Sequence, residues 1–147
     1  MVRNQINGLS FNIESTGNGP AIVALHGFTG STKTWDELVI GAKDRYTVIT
    51  IDLLGHGQSD SPTNSARYDI SNCINDVKTI LTNLHVERTN WLGYSMGGRV
   101  ALALALALPE RTASLILESA SPGLSTIKER SDRIQQDSEL ADWIIEV

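Results

Sequence analysis

With 147 residues, 12 Lys and Arg against 17 Asp and Glu, a formal net charge of -5 and 41% hydrophobic residues, the chain has the make-up of one domain around a single core. Its basic residues are scattered, so no stripe exists to neutralise a run of phosphates and nucleic acid is not an expected partner. The single cysteine, Cys73, cannot form an internal disulfide, and Met1 to Gly8 lacks the apolar stretch of a secretory signal; a reducing, cytoplasmic setting is expected.

Short alternating stretches flank Asn7-Gly8, a dipeptide that takes the positive φ angles of a tight turn, which predicts a hairpin over 3–15, broken by Thr16-Gly17-Asn18-Gly19-Pro20. Ala21-Ile22-Val23-Ala24-Leu25 is an unbroken apolar run between Pro20 and Gly27, the pattern of a central strand covered on both faces. Trp35, Leu38, Val39 and Ala42 recur at helical spacing from Thr32 to about Lys43, and Tyr46 to Leu53 reads as a second buried strand. Ile70, Ile74, Val77, Ile80, Leu81 and Leu84 share one face of a long amphipathic helix, with a strand expected at 89–93. Val100 to Leu108, the longest apolar run, stops at Pro109, well short of the roughly 20 residues that cross a bilayer. Met96 to Leu108 is therefore read as a buried helix, and no membrane is expected as a partner. Ala113 to Leu117 is a further predicted buried strand. Such strand–helix–strand units need right-handed crossovers and give an α/β fold, a mostly parallel sheet flanked by helices. Beyond Ser121-Pro122-Gly123 charges are dense until Leu140, Trp143, Ile144 and Ile145, which predicts a helix outside the sheet.

Gly93-Tyr94-Ser95-Met96-Gly97 fits G-x-S-x-G between a predicted strand and a predicted helix, a context that holds the serine above the sheet at the positive end of the helix. Ser95 is the candidate reactive hydroxyl; the bland alternative is a helix cap. Leu25-His26-Gly27-Phe28-Thr29-Gly30 also follows a buried strand. Gly27 permits close backbone approach there, and the N–H of Phe28 can join that of Met96 as two donors to a developing negative oxygen. His26 reads first as a structural histidine bonded to loop backbone, as do Asp52 and His56 in the turn-rich stretch Asp52 to Asp60. His85 is expected to be solvated near a helix end. The sequence carries no metal-ligand cluster, phosphate loop or dinucleotide fingerprint, so neither a metal nor a cofactor is expected.

His26-Gly27, Asp52 to Ser59 and Gly93 to Gly98, in this order and on these elements, resemble the α/β-hydrolase fold. A narrower likeness lies in Leu25 to Ser31, Gly93 to Leu102 and Leu117 to Leu124. Together these resemble the 2-succinyl-6-hydroxy-2,4-cyclohexadiene-1-carboxylate synthases of menaquinone (vitamin K2) biosynthesis. The likeness runs over essentially the whole chain, including Glu129-Arg130 and Arg133 to Asp137, but covers only the amino-terminal part of that family's length. It implies a partial α/β-hydrolase core over 1–124 and the start of a helical cap over 125–147. The implied reaction is that of a carbon–oxygen lyase, the elimination of pyruvate from 2-succinyl-5-enolpyruvyl-6-hydroxy-3-cyclohexene-1-carboxylate, with Ser95 as a base after activation by a histidine. Arg99 and Arg133 would bind the carboxylates of this small polycarboxylate substrate, a task suited to planar guanidinium groups. Arg99 stands one helical turn beyond Ser95 on the same face. For Arg133 the alternative is a solvated charge beside Asp137 at i,i+4, and Tyr94 either helps form the pocket or simply packs.

A serine hydroxyl needs a neighbouring base, and the base an orienting acid; in this fold both follow the serine, in the order Ser, Asp or Glu, His. All three histidines here precede Ser95, and Glu118, near a predicted strand end, is not taken as the acid. The sequence therefore reads as the front portion of a longer enzyme, its fold incomplete at the C-terminus and this portion inactive by itself. Its strand at Ala113 to Leu117 would then be an exposed edge through which the chain self-associates. Two other readings stay open: a general α/β-hydrolase acting on an ester or a carbon–carbon bond, and a truncated, noncatalytic remnant.

Overall fold

A computed structural model describes residues 4–146, so the expected hairpin start at Arg3, the end of the expected cap segment at Val147, and the leader-region residues Met1 and Val2 lie outside the described residues. Strands β1 (Asn4–Ile6) and β2 (Leu9–Phe11) form the expected antiparallel hairpin. Asn7 at φ 49° and Gly8 at φ 85° are both left-handed, the two-residue turn whose twist matches that of the strands it joins. The hairpin ends at Phe11, earlier than the sequence predicts. Strand β3 (Ile13–Gly17) instead runs antiparallel to β5 (Thr47–Ile51), with Ile13 opposite Ile51. The pivot is Asn12, whose N–H donates to Ser59 Oγ at 3.0 Å and whose Nδ2 donates to Asp52 Oδ2 at 2.8 Å. A buried polar hinge of this kind leaves no mark in apolar periodicity.

With β4 (Ala21–Leu25), β6 (Thr89–Tyr94) and β7 (Thr112–Glu118), the main sheet has the order β3-β5-β4-β6-β7, parallel except for β3. The apolar run 21–25 is thus the central strand, as its unbroken pattern predicts, and Val23, Ala24 and Leu25 are fully buried. Trp91 of β6 is also fully buried, and its indole N–H is satisfied by Thr112 Oγ1 at 2.9 Å, whereas the buried indole N–H of Trp35 has no partner among the described residues. Each fully buried Leu, Ile or Val side chain here stabilises the fold by about 1.5–3 kcal/mol before the entropy of ordering it is subtracted.

Among the described residues four α-helices accompany the sheet: α1 (Asp36–Ala42), α2 (Ile70–Asn83), α3 (Met96–Ala107) and α4 (Ile127–Glu146). The helix expected from Thr32 begins as a tighter 3₁₀ turn over Thr32–Trp35, capped by Ser31. Helix α2 buries Val77, Ile80 and Leu81, but Ile70 is 48% exposed, so its apolar face starts a turn later than expected. It closes with the His85 N–H on Thr82 O and the Val86 N–H on Leu81 O, a paired bond that places exposed His85 in the left-handed region at φ 55°. Helix α3 buries Gly97, Gly98, Val100, Ala101 and Leu104 while Leu106 stays exposed, so the Ala-Leu run is buried on one side only.

Strand β7 departs from its predicted burial and meets its predicted edge position: Ile116 and Leu117 are 56% and 40% exposed because, among the described residues, only β6 pairs with it. Helix α4 stands outside the sheet, as its charge density predicts. A reciprocal cap starts it, Glu129 Oε2 accepting from the Thr126 N–H and Thr126 Oγ1 accepting from the Glu129 N–H. The hydrogen bonds from Thr126, backbone first and then hydroxyl, hold the Glu129 carboxyl below the usual range. No helix among the described residues is long and apolar enough to cross a membrane.

Candidate active site

Strand β6 delivers Ser95 to a turn that few residues tolerate. Ser95 sits at φ 50°, ψ -111°, its N–H bonded to Glu118 O at 2.9 Å and its carbonyl accepting from the N–H groups of Gly98 and Arg99 as α3 begins. The glycines around it are demanded by space. A Cβ at Gly97 would overlap the carbonyl oxygens of Leu25 and His26, and one at Gly93 would overlap the backbone of Gly97 and Gly98. The turn is thereby pressed against the end of β4, where Gly27 to Gly30 forms a second turn closed by Gly30 N–H to Gly27 O at 3.0 Å, with Thr29 at φ 63°. Phe28 N–H is not used by that turn, and Met96 N–H, first in α3, has no intrahelical acceptor.

Phe28, Ser95, Met96, Arg99 and Arg133 line one cavity of about 400 Å³, so five of the six residues singled out in the sequence meet there. Tyr94 takes the other place open to it: its ring covers Gly27, where a Cβ would come within 2.8 Å of Cδ1. The far wall comes from α4, which presents Arg133, Asp137, Leu140, Ala141 and Ile144, successive positions of one helical face. Leu140 and Ile144 are apolar in the sequence, but nothing there aims them at Ser95; the signal was their spacing from Arg133. Arg133 also fits its alternative reading, since its Nε donates to Asp137 Oδ1 at 2.7 Å while both residues border the cavity.

Two of the three histidines serve the scaffold around Ser95, while His85 lies exposed at the end of α2. His26 is fully buried, its Nδ1–H on Gly27 O at 2.7 Å and its Nε2 accepting from the Leu53 N–H at 3.1 Å, partners that fix a neutral tautomer. His56 packs between His26 and Phe28, ring centroids 5.0 and 5.8 Å away, with its Nδ1 on Leu54 O. Asp52 is buried and accepts from the Thr32 N–H, Asn12 Nδ2 and the Gln58 N–H, which ties the loop to the hinge between β2 and β3 and to the 3₁₀ turn before α1. The structural roles expected for His26, Asp52 and His56 describe these contacts. Glu118 touches the site through its backbone carbonyl.

Burial pushes the His26 imidazole below its ordinary 6.5; the Gly27 carbonyl opposes this, His56 adds to it, and Asp52 opposes it weakly. The unfolded chain therefore binds the proton first. Stability is full above about pH 6.5 and falls as pH drops below it, by up to about 1.4 kcal/mol per pH unit until the folded histidine is itself protonated. Urea midpoints measured from pH 7.5 to pH 5 are expected to show this loss, and His26→Asn to flatten it; an unchanged slope in the variant would assign the acid limb to other groups.

A family model described as the alpha/beta hydrolase fold matches residues 20–146. The chain belongs to this family. Among α/β hydrolases it is 44% identical, over 128 residues, to a Bacillus subtilis protein carrying the provisional name 2-succinyl-6-hydroxy-2,4-cyclohexadiene-1-carboxylate synthase, a match over 85% of this chain and 45% of that one. It is 34% identical to the pimeloyl-[acyl-carrier protein] methyl ester esterase of Nitrosomonas europaea, over 77% of this chain and 42% of the esterase. The solved enol-lactonase from Burkholderia xenovorans superposes with a TM-score of 0.70 at 28% identity, over 76% of this chain and 44% of the lactonase. The chain thus spans under half the length of these relatives. Among the described residues no group of His, Cys, Asp and Glu could hold a metal ion.

Proposed function

We propose that this α/β hydrolase carries the serine, the anion donors and the carboxylate clamps of a carbon–oxygen lyase in menaquinone biosynthesis, eliminating pyruvate from 2-succinyl-5-enolpyruvyl-6-hydroxy-3-cyclohexene-1-carboxylate. The observation that carries this reading is the meeting of Arg99, from α3, and Arg133, from α4, at the cavity that holds Ser95. Two guanidinium groups beside one hydroxyl suit a substrate with several carboxylates. The 44% identity to the Bacillus subtilis protein supports it. In this reading Ser95 Oγ takes a carbon-bound proton, the electron pair left behind moves into the ring, and the carbon–oxygen bond to the enolpyruvyl group breaks; the departing enolate gains a proton to become pyruvate. The Phe28 and Met96 N–H groups face the charge that develops on oxygen. Ser95 must pass its own proton to a base, and His26 and His56 already spend ring nitrogens on backbone carbonyls. The base and its orienting acid are expected outside residues 1–147, with α4 as the first part of a cap over the cavity. The reaction asks for no cofactor, and the unpaired Cys73 fits a cytoplasmic setting.

One contact favours a second reading, an ester or lactone hydrolase in which Ser95 attacks a carbonyl carbon. Asp137 already neutralises Arg133, which lowers the positive charge free to hold an anion. The esterase and the lactonase among the relatives support it. Assays of the native protein with the succinylated substrate and with a panel of simple esters separate the two. In the lyase reading Arg99→Ala lowers kcat/KM for the polyanion by about 10–100-fold and leaves ester turnover nearly unchanged. Faster ester turnover, indifferent to Arg99, would establish the hydrolase.

The outer edge of β7, with Ile116 and Leu117 exposed, supports a further part of the proposal, that residues 1–147 by themselves self-associate. Sedimentation velocity is expected to show oligomers that Ile116→Lys disperses; a sharp monomer boundary for the unsubstituted chain would dismiss the idea.

A further inference from the structure

A second cavity, of about 210 Å³, adjoins the one at Ser95, and Met96 stands in the wall of both. Its floor is built from Phe11, Leu53, Val77 and Val100, exposed by 2%, 6%, 1% and 8%. The charged groups in its wall cancel: Arg67 Nη2 reaches both Asp76 oxygens, at 2.9 and 3.1 Å, and Asn7 Nδ2 donates to Asp76 Oδ1 at 2.8 Å. The Cys73 thiol, which also lines it, is pushed up to about 12 by burial and then by Asp76, against the pull of Arg67, so it stays S–H and behaves as a small apolar group. At the mouth, Tyr68 and Ile70 are 46% and 48% exposed, and the tyrosine is held there by its hydroxyl on Pro62 O at 3.0 Å. Apart from the Met96 N–H, nothing in the chemistry at Ser95 uses these residues. His56 completes the wall with its Nδ1 on Leu54 O, so with Arg67, Asp76 and Asn7 satisfied by one another the space offers water few partners.

We propose that this cavity is a binding site for a compact apolar group, a six-membered carbon ring or a short alkyl chain, on a small molecule lying beside Ser95. An engineered apolar cavity of about 150 Å³ in another protein stays dry and takes up benzene, and this one is larger. Met96 is the wall between the two spaces, and an unbranched thioether can shift to let one ligand occupy both. The inference does not depend on whether the reaction is an elimination or a hydrolysis, since it concerns the carbon skeleton and not the reacting bond.

The test is a titration of the native protein with benzene, followed by methyl NMR. Saturable shifts are expected, with intermolecular NOEs to the methyls of Met96, Val77, Val100 and Ile70. Cys73→Phe, which fills the space, is expected to weaken binding by about tenfold or more. Since that variant can disturb the core, Ile70→Ser at the exposed rim provides the second arm, with native methyl dispersion and an affinity lower by about threefold. Unsaturable shifts, or NOEs confined to Leu140 and Ile144 of the neighbouring cavity, would overturn the proposal, as would unaltered binding by a folded Cys73→Phe protein.

Discussion

Ser95→Gly is expected to raise the melting temperature of the native protein by about 2–4 °C while abolishing its turnover. At φ 50°, ψ -111°, Ser95 occupies a backbone conformation that costs a non-glycine residue about 1–3 kcal/mol. Glycine removes that strain and gives back about 0.5–1 kcal/mol in unfolded-state entropy, leaving a net gain of about 1 kcal/mol, equivalent to a few degrees for a protein of this size or larger. In the proposed reaction the hydroxyl is the group that does the chemistry, and its loss is expected to lower rates by about 10³-fold or more. Thermal unfolding and turnover of the same preparation check both halves. A melting temperature below that of Ser95→Ala would mean that the turn is not strained.

Gly97→Ala works in the opposite direction on stability. Its Cβ would overlap the carbonyl oxygens of Leu25 and His26, and the carbonyl of Leu25 belongs to the central strand, which is paired on both sides and cannot move aside. The expected cost is about 3 kcal/mol or more, with activity lost as well because the Met96 and Phe28 N–H groups are displaced together. Gly41→Ala is the matching control. A Cβ there meets nothing within 4 Å, and in α1 it should stabilise by about 0.5–1 kcal/mol. Equal melting temperatures for the two variants would show that the elbow yields more easily than its contacts indicate.

The parts of this molecule readable from sequence are those fixed by short-range rules. Gly93 to Gly97 has one tight solution between a strand and a helix, Asn7-Gly8 has one turn type, and the apolar run 21–25 has one place in a parallel sheet. His26 was legible as structural because a histidine beside a glycine turn has backbone to bond. What escaped depends on partners distant in the chain. Asn12 turns the strand out of the hairpin only because Asp52 and Ser59 are waiting for it, and a polar residue alternating with Phe11 and Ile13 reads as an outward strand position and gives no warning of burial. The burial of Asp76 needs Arg67 from one side and Asn7 from the other. The exposure of Ile116 reflects its outermost place in the sheet, whereas its sequence differs little from that of an interior strand. Arg133, Leu140 and Ile144 converge on Ser95 only through the placement of α4.

The contact between Gly97 and the end of β4 also sets a clock. Ala21 of β4 pairs with Thr89 of β6, and Leu25 with Gly93, across a separation of 68 residues that must be closed against chain entropy before the serine turn has anything to rest on. A chain that has made only its local helices and the early hairpin holds Ser95 in a relaxed backbone, without neighbouring anion donors, where its hydroxyl is as inert as that of any solvated serine. The turn that presents the proposed reactive group thus forms only after these strands pair. A half-folded molecule lacks the turn that sets Ser95 beside the Phe28 and Met96 N–H groups, so the reactivity proposed for this serine requires that the two strands have met.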